Sequence, residues 1–296
     1  MNHLSFNERL FLYAQRYSPK QAMTEAMGRF ANGAFGNITQ WAINTFIKRY
    51  GVNMQEALQE DPTAYETFND FFTRALKPTA RPLANSTWVS PVDGTVSQWG
   101  QIAGERVFQA KGHDYSLLAL LGGDADAART YANGDFATLY LSPKDYHRIH
   151  LPCAGTLRRM VYVPGDLYSV NPLTAQNIPG LFARNERLVC HFDTAHGPLA
   201  VVFVAATIVG SMATVWHGRV NAQRLGLIQA WDYEGSTAPQ FAQGDEIGRF
   251  MLGSTVVLCW ANRANLKFDP EWRAGRAIQM GQSMATVAGE SITISK

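Results

Sequence analysis

Charge is scarce in this chain. Only 17% of its residues are Asp, Glu, Lys or Arg, against about a quarter in an average soluble domain, so much of the surface has to be uncharged. What charge there is nearly cancels, 26 Lys and Arg against 24 Asp and Glu, and it is scattered singly. That balance excludes the basic footprint of a nucleic-acid-binding protein. Cysteine is also rare. Cys153, Cys190 and Cys259 are odd in number, far apart and in no CxxC spacing. They indicate neither a disulfide framework nor a zinc site, and they fit a reducing compartment. Long apolar runs are missing: residues 199–210 (LAVVFVAATIVG) fall well short of the roughly 18 that read as a membrane span. Their Val and Ile content reads as a buried strand. The first twenty residues carry Glu8, Arg9 and Arg16 and lack the unbroken apolar segment of an export signal. Any membrane contact is therefore expected to be peripheral.

A length of 296 residues is ample for one large domain or two ordinary ones. The first 75 residues read as helical. Ile38, Trp41, Ala42, Phe46, Ile47 and Tyr50 recur at three-to-four spacing, with Lys48 and Arg49 near the end and Gly51 as a stop. Such an amphipathic helix either packs on its own core or docks on lipid. Asp61 and Pro62 form a cap and first-turn pair, followed by an aromatic face of Tyr65, Phe68, Phe71 and Phe72. From Thr87 the pattern changes. Residues 88–92, 137–141, 156–163, 188–192, 199–209, 255–260 and 292–294 are short runs rich in Val, Ile and Thr, broken by Gly, Pro and Asp, and they read as strands. No long helices alternate with them, which favours an antiparallel sandwich or barrel-like body over a doubly wound sheet. The expectation is an α+β protein, with a helical region over 1–75 and a β-rich, largely antiparallel body over 76–296, joined through residues 77–82 (KPTARP).

Three places combine reactive side chains with turn residues. Asp93 lies in SPVDGT (90–95), where an Asp-Gly turn is common on structural grounds alone. His147 and His150 lie in DYHRIH (145–150) and converge if that segment is helical but diverge if it is extended. No HExxH spacing or carboxylate cluster accompanies them, so acid and base roles are more natural than zinc binding. Ser254 lies in GDEIGRFMLGST (244–255), either a simple strand entry or the nucleophile of a Ser-His-Asp constellation. The GxSxG elbow of ordinary esterases is absent.

Seven strings now carry a resemblance: FFTRALKP (71–78), SPVDGTV (90–96), SPKDYHRIHLP (142–152), PGDLYSVNP (164–172), LFARNERL (181–188), VGSMATVWHG (209–218) and GDEIGRFMLGSTVV (244–257). In this order, over about residues 70–285, they resemble the phosphatidylserine decarboxylase family of the bacterial membrane-associated type. The resemblance implies that the chain cuts its own Gly253–Ser254 bond into chains 1–253 and 254–296, and that Ser254 becomes a pyruvoyl group. His150 would be the base for that cut, Asp93 the carboxylate that orients its ring, and His147 the proton donor in decarboxylation. The pyruvoyl ketone would form a Schiff base with the serine head group and act as the electron sink, with no metal. Phosphatidylserine, a membrane surface, the two cleaved chains as a heterodimer and a homodimer of these are the implied partners. The implied location is peripheral, on the cytoplasmic face of the inner membrane. The stripe of Trp41, Phe46 and Ile47, flanked by Lys48 and Arg49, is the expected lipid-facing surface.

Gln243 departs from the pattern, since many members of the family carry Lys there. Arg184 and Arg187 suit a phosphate or carboxylate, and a structural ion pair equally well. Three rival readings stay open: a pyruvoyl-dependent decarboxylase of a soluble amino acid, a hydrolase using Asp93, His150 and Ser254, and a non-catalytic lipid-binding module.

Overall fold

The computed structural model describes residues 4–207, 211–220, 226–251, 254–262 and 265–287. Helix α1 (Phe6–Tyr17) opens on a capping box in which the Glu8 amide donates to Ser5 Oγ and the Ser5 amide donates to Glu8. Helix α2 (Lys20–Asn32) follows, then α3 (Asn37–Tyr50), which ends at Gly51 in the left-handed conformation. The short α4 (Phe68–Phe72) has its own capping box from Thr67 and Asp70.

The aromatic stripe of α3 is divided. Phe46 and Ile47 pack on the core, and the Phe46 ring lies 5.2–5.9 Å from those of Phe68, Phe71 and Phe72. Ile38 and Trp41 remain exposed. Of the expected lipid-facing stripe, Phe46 and Ile47 are thus half-buried on the core, with the rings of α4 against Phe46, and of the three only Trp41 is exposed.

Among the described residues the largest sheet has nine strands. Its path runs Gln229–Asp232, Gly155–Val163, Arg187–Thr194, Gly197–Val204, Ser254–Trp260, Asp135–Leu141, Gly94–Gln101, Ala277–Ile278, with Gln240–Phe241 paired to Gly155–Val163. Every ladder is antiparallel. Both faces are buried, which is why the strands read as continuous apolar runs. Alternate side chains divide between two cores: Val202, Val204, Val257 and Cys259 join the one containing the helices, while Val201, Phe203, Val256, Leu258 and Trp260 join the other. Because Phe71 and Phe72 share a core with Val202 and Val257, the helical region and the body are packed together.

A second sheet runs Gly218–Arg219, Met212–Thr214, Glu246–Phe250, Arg148–His150, and a third joins Trp88–Val89, Ser283–Val287 and Leu266–Phe268. The strand expected over 88–92 stops at Val89, since Ser90 turns the chain by donating to the Val92 carbonyl. The run 292–294 lies outside the described residues. The 77–82 connector is not a loose linker. Its Arg81 is inserted into the body, with a side chain only 7% exposed.

Candidate active site

The two sheets meet where the candidate residues gather. The strand Arg148–His150 pairs with Glu246–Phe250, and the Phe250 amide donates to the His147 carbonyl at 3.1 Å. Four residues further on, Ser254 opens the central strand of the large sheet, opposite Leu141. The strand paired to the histidine-bearing one is therefore the strand that precedes the serine in the chain, its last residue four positions before Ser254. Gly253 and the Ser254 side chain lie outside the described residues.

His150 is buried, and both ring nitrogens are engaged. Nδ1 lies 2.8 Å from the Gly244 carbonyl and Nε2 lies 3.1 Å from the Tyr146 hydroxyl. A carbonyl only accepts, so Nδ1 carries the proton and Nε2 keeps its lone pair. Burial holds this ring's pKa below that of an ordinary histidine, and the Gly244 carbonyl offsets part of that. The result is a neutral base of fixed tautomer. Gly244 supplies its carbonyl from a backbone at φ +84°, where a side chain would also strike Leu83.

Asp93 has other partners. Its Oδ1 accepts from Arg81 Nε at 2.9 Å and from the Met280 amide at 2.8 Å, and its Oδ2 accepts from Arg81 Nη2 at 2.5 Å. Arg81 Nη2 also reaches Glu56 at 2.7 Å. The direct Asp93–His150 hydrogen bond expected from triad logic is not made. The guanidinium offers Asp93 a two-point, charge-matched fork, and the Gly244 carbonyl takes the orienting position on the imidazole. Asp93 still acts on His150 through its field, which favours the charged ring. Gly94 lets this turn press against the sheet, since a Cβ there would fall 2.3 Å from the Tyr140 carbonyl.

His147 is fully buried and stacks on Phe72, with ring centres 4.1 Å apart and planes 19° apart. Neither ring nitrogen has a hydrogen-bond partner of good geometry. Burial pushes its pKa down to about 3, the nearby Arg74 cation lowers it too, and the backbone of Ser142 and Pro143 offsets only part. His147 is therefore neutral near pH 7. Between the helical region and the body lies a cavity of about 300 Å³ whose lining includes Arg74, Arg81, Asp93, Ser142, Lys144 and Tyr146. Among the described residues no group of three or more His, Cys, Asp or Glu side chains is placed to hold a metal.

Sequence reasoning missed Arg81, Tyr146, Arg74 and the Gly244 carbonyl. Tyr146 and Arg74 lie inside recognised strings, next to residues of evident chemistry, so proximity was an available signal. Arg81 sits in a Pro-flanked connector with no periodicity to mark it. Arg187 is structural: it is buried and donates to the carbonyls of Ala119, Leu120 and Asn185. Arg184 pairs with Asp166 at 3.1 Å and with the Tyr168 hydroxyl at 2.9 Å.

Comparison of the whole chain with known proteins leads to a family of decarboxylases. The family model described as phosphatidylserine decarboxylase matches residues 68–286, and a second, described as PSD, matches residues 10–51. The chain belongs to the phosphatidylserine decarboxylase family. It is 58% identical over 279 residues to the phosphatidylserine decarboxylase proenzyme of Delftia acidovorans, covering 94% of this chain and 98% of that one. It is 56% identical over 287 residues to the proenzyme of Polaromonas naphthalenivorans, covering 96% and 99%. The Chromobacterium violaceum proenzyme is 58% identical over 281 residues, covering 95% and 100%.

Proposed function

We propose that the chain decarboxylates phosphatidylserine with a pyruvoyl group made from its own Ser254, after cutting the Gly253–Ser254 bond. The observation that carries this reading is the tautomer of His150: a neutral imidazole with Nε2 unprotonated, on the strand paired to the segment that leads into Ser254. In the cut, the Ser254 hydroxyl gives its proton to Nε2 and attacks the Gly253 carbonyl, so that an ester replaces the peptide bond. The imidazolium formed is favoured by Asp93 through its field. Elimination frees chain 1–253, and hydrolytic loss of ammonia leaves the ketone at the start of chain 254–296.

The strand Ser254–Trp260 suits this group, because its ladders to Asp135–Leu141 and Gly197–Val204 hold residue 254 in the body without the peptide before it. When formed, the group supplies the electron sink that lets a carboxylate leave as carbon dioxide. His147 is the proton carrier at carbon. Its ring is neutral at rest, and an anionic head group beside it would raise its affinity for a proton.

Peripheral membrane docking belongs to the same proposal. Phe6, Leu10, Tyr13 and Tyr17 form one exposed stripe along α1, flanked by Arg9 and Arg16, and α3 adds Ile38 and Trp41. No described helix is long and apolar enough to cross a membrane. A homodimer of the cleaved pair, on the cytoplasmic face of the inner membrane, completes the reading by resemblance.

Denatured intact mass, with and without reductive amination, tests it. Two chains divided before Ser254, the smaller one reactive as a ketone, are expected. A single unmodified chain overturns the reading and returns the hydrolase.

A further inference from the structure

Arg74 is only 4% exposed, yet most of its donors are idle. Nη2 donates to the Lys144 carbonyl at 3.2 Å, while the buried Nε and Nη1 have no partner. Its carbon centre lies 5.5 Å from the Phe71 ring. The carboxylates around it are spoken for: Asp93 and Glu56 hold Arg81, and Asp145 accepts from the Ser142 amide and hydroxyl at 2.7 and 2.8 Å. A guanidinium removed from water with two nitrogens, and so three N–H groups, unsatisfied is costly unless an anion completes it. This one lines the 300 Å³ cavity together with Asn53, Ser142, Lys144 and Tyr146.

Its position is set by the element that also sets His147. Phe72 stacks on the imidazole, and Phe71 lies against the guanidinium. An anion on Arg74 would therefore sit close to the proton carrier. Phosphatidylserine offers two anions, a phosphodiester and a carboxylate. The carboxylate must leave as neutral carbon dioxide, and a guanidinium holding it would stabilise the ground state and oppose the reaction. The phosphodiester keeps its charge throughout, and only one oxygen and one carbon separate its phosphorus from the reacting carbon.

We infer that Arg74, which lines this cavity, binds the phosphodiester of the lipid head group and so places the serine moiety beside His147. This rests on the proposed function for the identity of the lipid, but the anion site itself is read from the cavity.

Thermal unfolding of the uncleaved Ser254→Ala chain, titrated with glycerophosphoserine, inorganic phosphate or free serine, tests the site without turnover. Glycerophosphoserine and phosphate should raise Tm with the logarithm of their concentration, and free serine should not. Adding Arg74→Gln should abolish the rise, and Arg74→Lys should keep part of it. A rise from serine alone equal to that from glycerophosphoserine would reassign Arg74 to the carboxylate. An undiminished rise in Arg74→Gln would remove it from the site. In the cleavable chain, Arg74→Gln should still split, which shows that it folds. Its KM for phosphatidylserine in mixed micelles should rise at least tenfold, with a smaller change in kcat. A fall in kcat at unchanged KM would overturn the assignment. Should Arg74→Gln fail to split, Arg74→Lys carries both measurements. Head-group binding through Arg74 in a protein that never decarboxylates would sink the proposed function and leave this inference standing.

Discussion

Arg81 holds Asp93 from twelve residues upstream, with Nε 2.9 Å from one carboxylate oxygen and Nη2 2.5 Å from the other. Both side chains are less than 10% exposed. Arg81→Ala would leave Asp93 and the part-buried Glu56 without their counter-charge. Breaking a buried pair from one side costs about 3–5 kcal/mol, so the urea midpoint should fall by that equivalent. A loss below about 1 kcal/mol would show the clamp to be dispensable.

The Tyr146 hydroxyl occupies the Nε2 lone pair that His150 would need in the proposed role of base. Tyr146→Phe removes that hydrogen bond and should leave self-cleavage as fast as in the parent chain or faster, followed as band splitting over time. His150→Gln should stay a single chain. Slower splitting in Tyr146→Phe would make the hydroxyl a working part of the proton path instead of a cap.

Gln243 Nε2 lies 3.0 Å from each of three carbonyls, those of Ser86, Thr87 and Pro152. An amide nitrogen has two hydrogens to offer, whereas an ammonium has three. Gln243→Lys should therefore satisfy the nest completely and stabilise the protein by about 1 kcal/mol, seen as a higher Tm. An unchanged or lower Tm would mean that desolvating the ammonium outweighs the extra bond.

Acid should weaken the fold. His191 is half-buried against Tyr131, and desolvation pushes its pKa down to about 4. Between that value and the ordinary histidine value of about 6.5 the unfolded chain binds the extra proton. Its contribution is therefore intact above pH 6.5 and lost as pH falls through the window, at about 1.4 kcal/mol per pH unit for one proton. His147, depressed to about 3, adds in the same direction. Urea midpoints measured against pH should flatten by one proton's slope in His191→Phe. An unaltered slope would place the protonation elsewhere.

The α1 stripe predicts the lipid contact. Phe6→Glu with Leu10→Glu should release the protein from anionic vesicles in a flotation assay while chain splitting continues. Undiminished flotation would move the docking surface off α1.

Much of this arrangement was legible from the chain alone, because its signals are local. The strand Ser254–Trp260 and helix α3 declare themselves through periodicity, and the histidines through their spacing. What escaped is decided by competition between distant groups. Asp93 chooses Arg81 over His150 because a fork outbids a single ring nitrogen, and His150 turns to a carbonyl 94 residues away. Phe46 was indistinguishable in sequence from an exposed residue such as Trp41, since only the rings of α4 tell them apart.

The placement of Ser254 at the first position of a central strand has one more consequence. Ladders on both sides of residues 255–260 make covalent continuity redundant there: severing the peptide before Ser254 would leave the pairing of those residues intact. The contact between the two products would be a domain core cut in half, the pattern of obligate complexes. Processing would then be silent in native size and shape, and visible only once the sheet itself is taken apart.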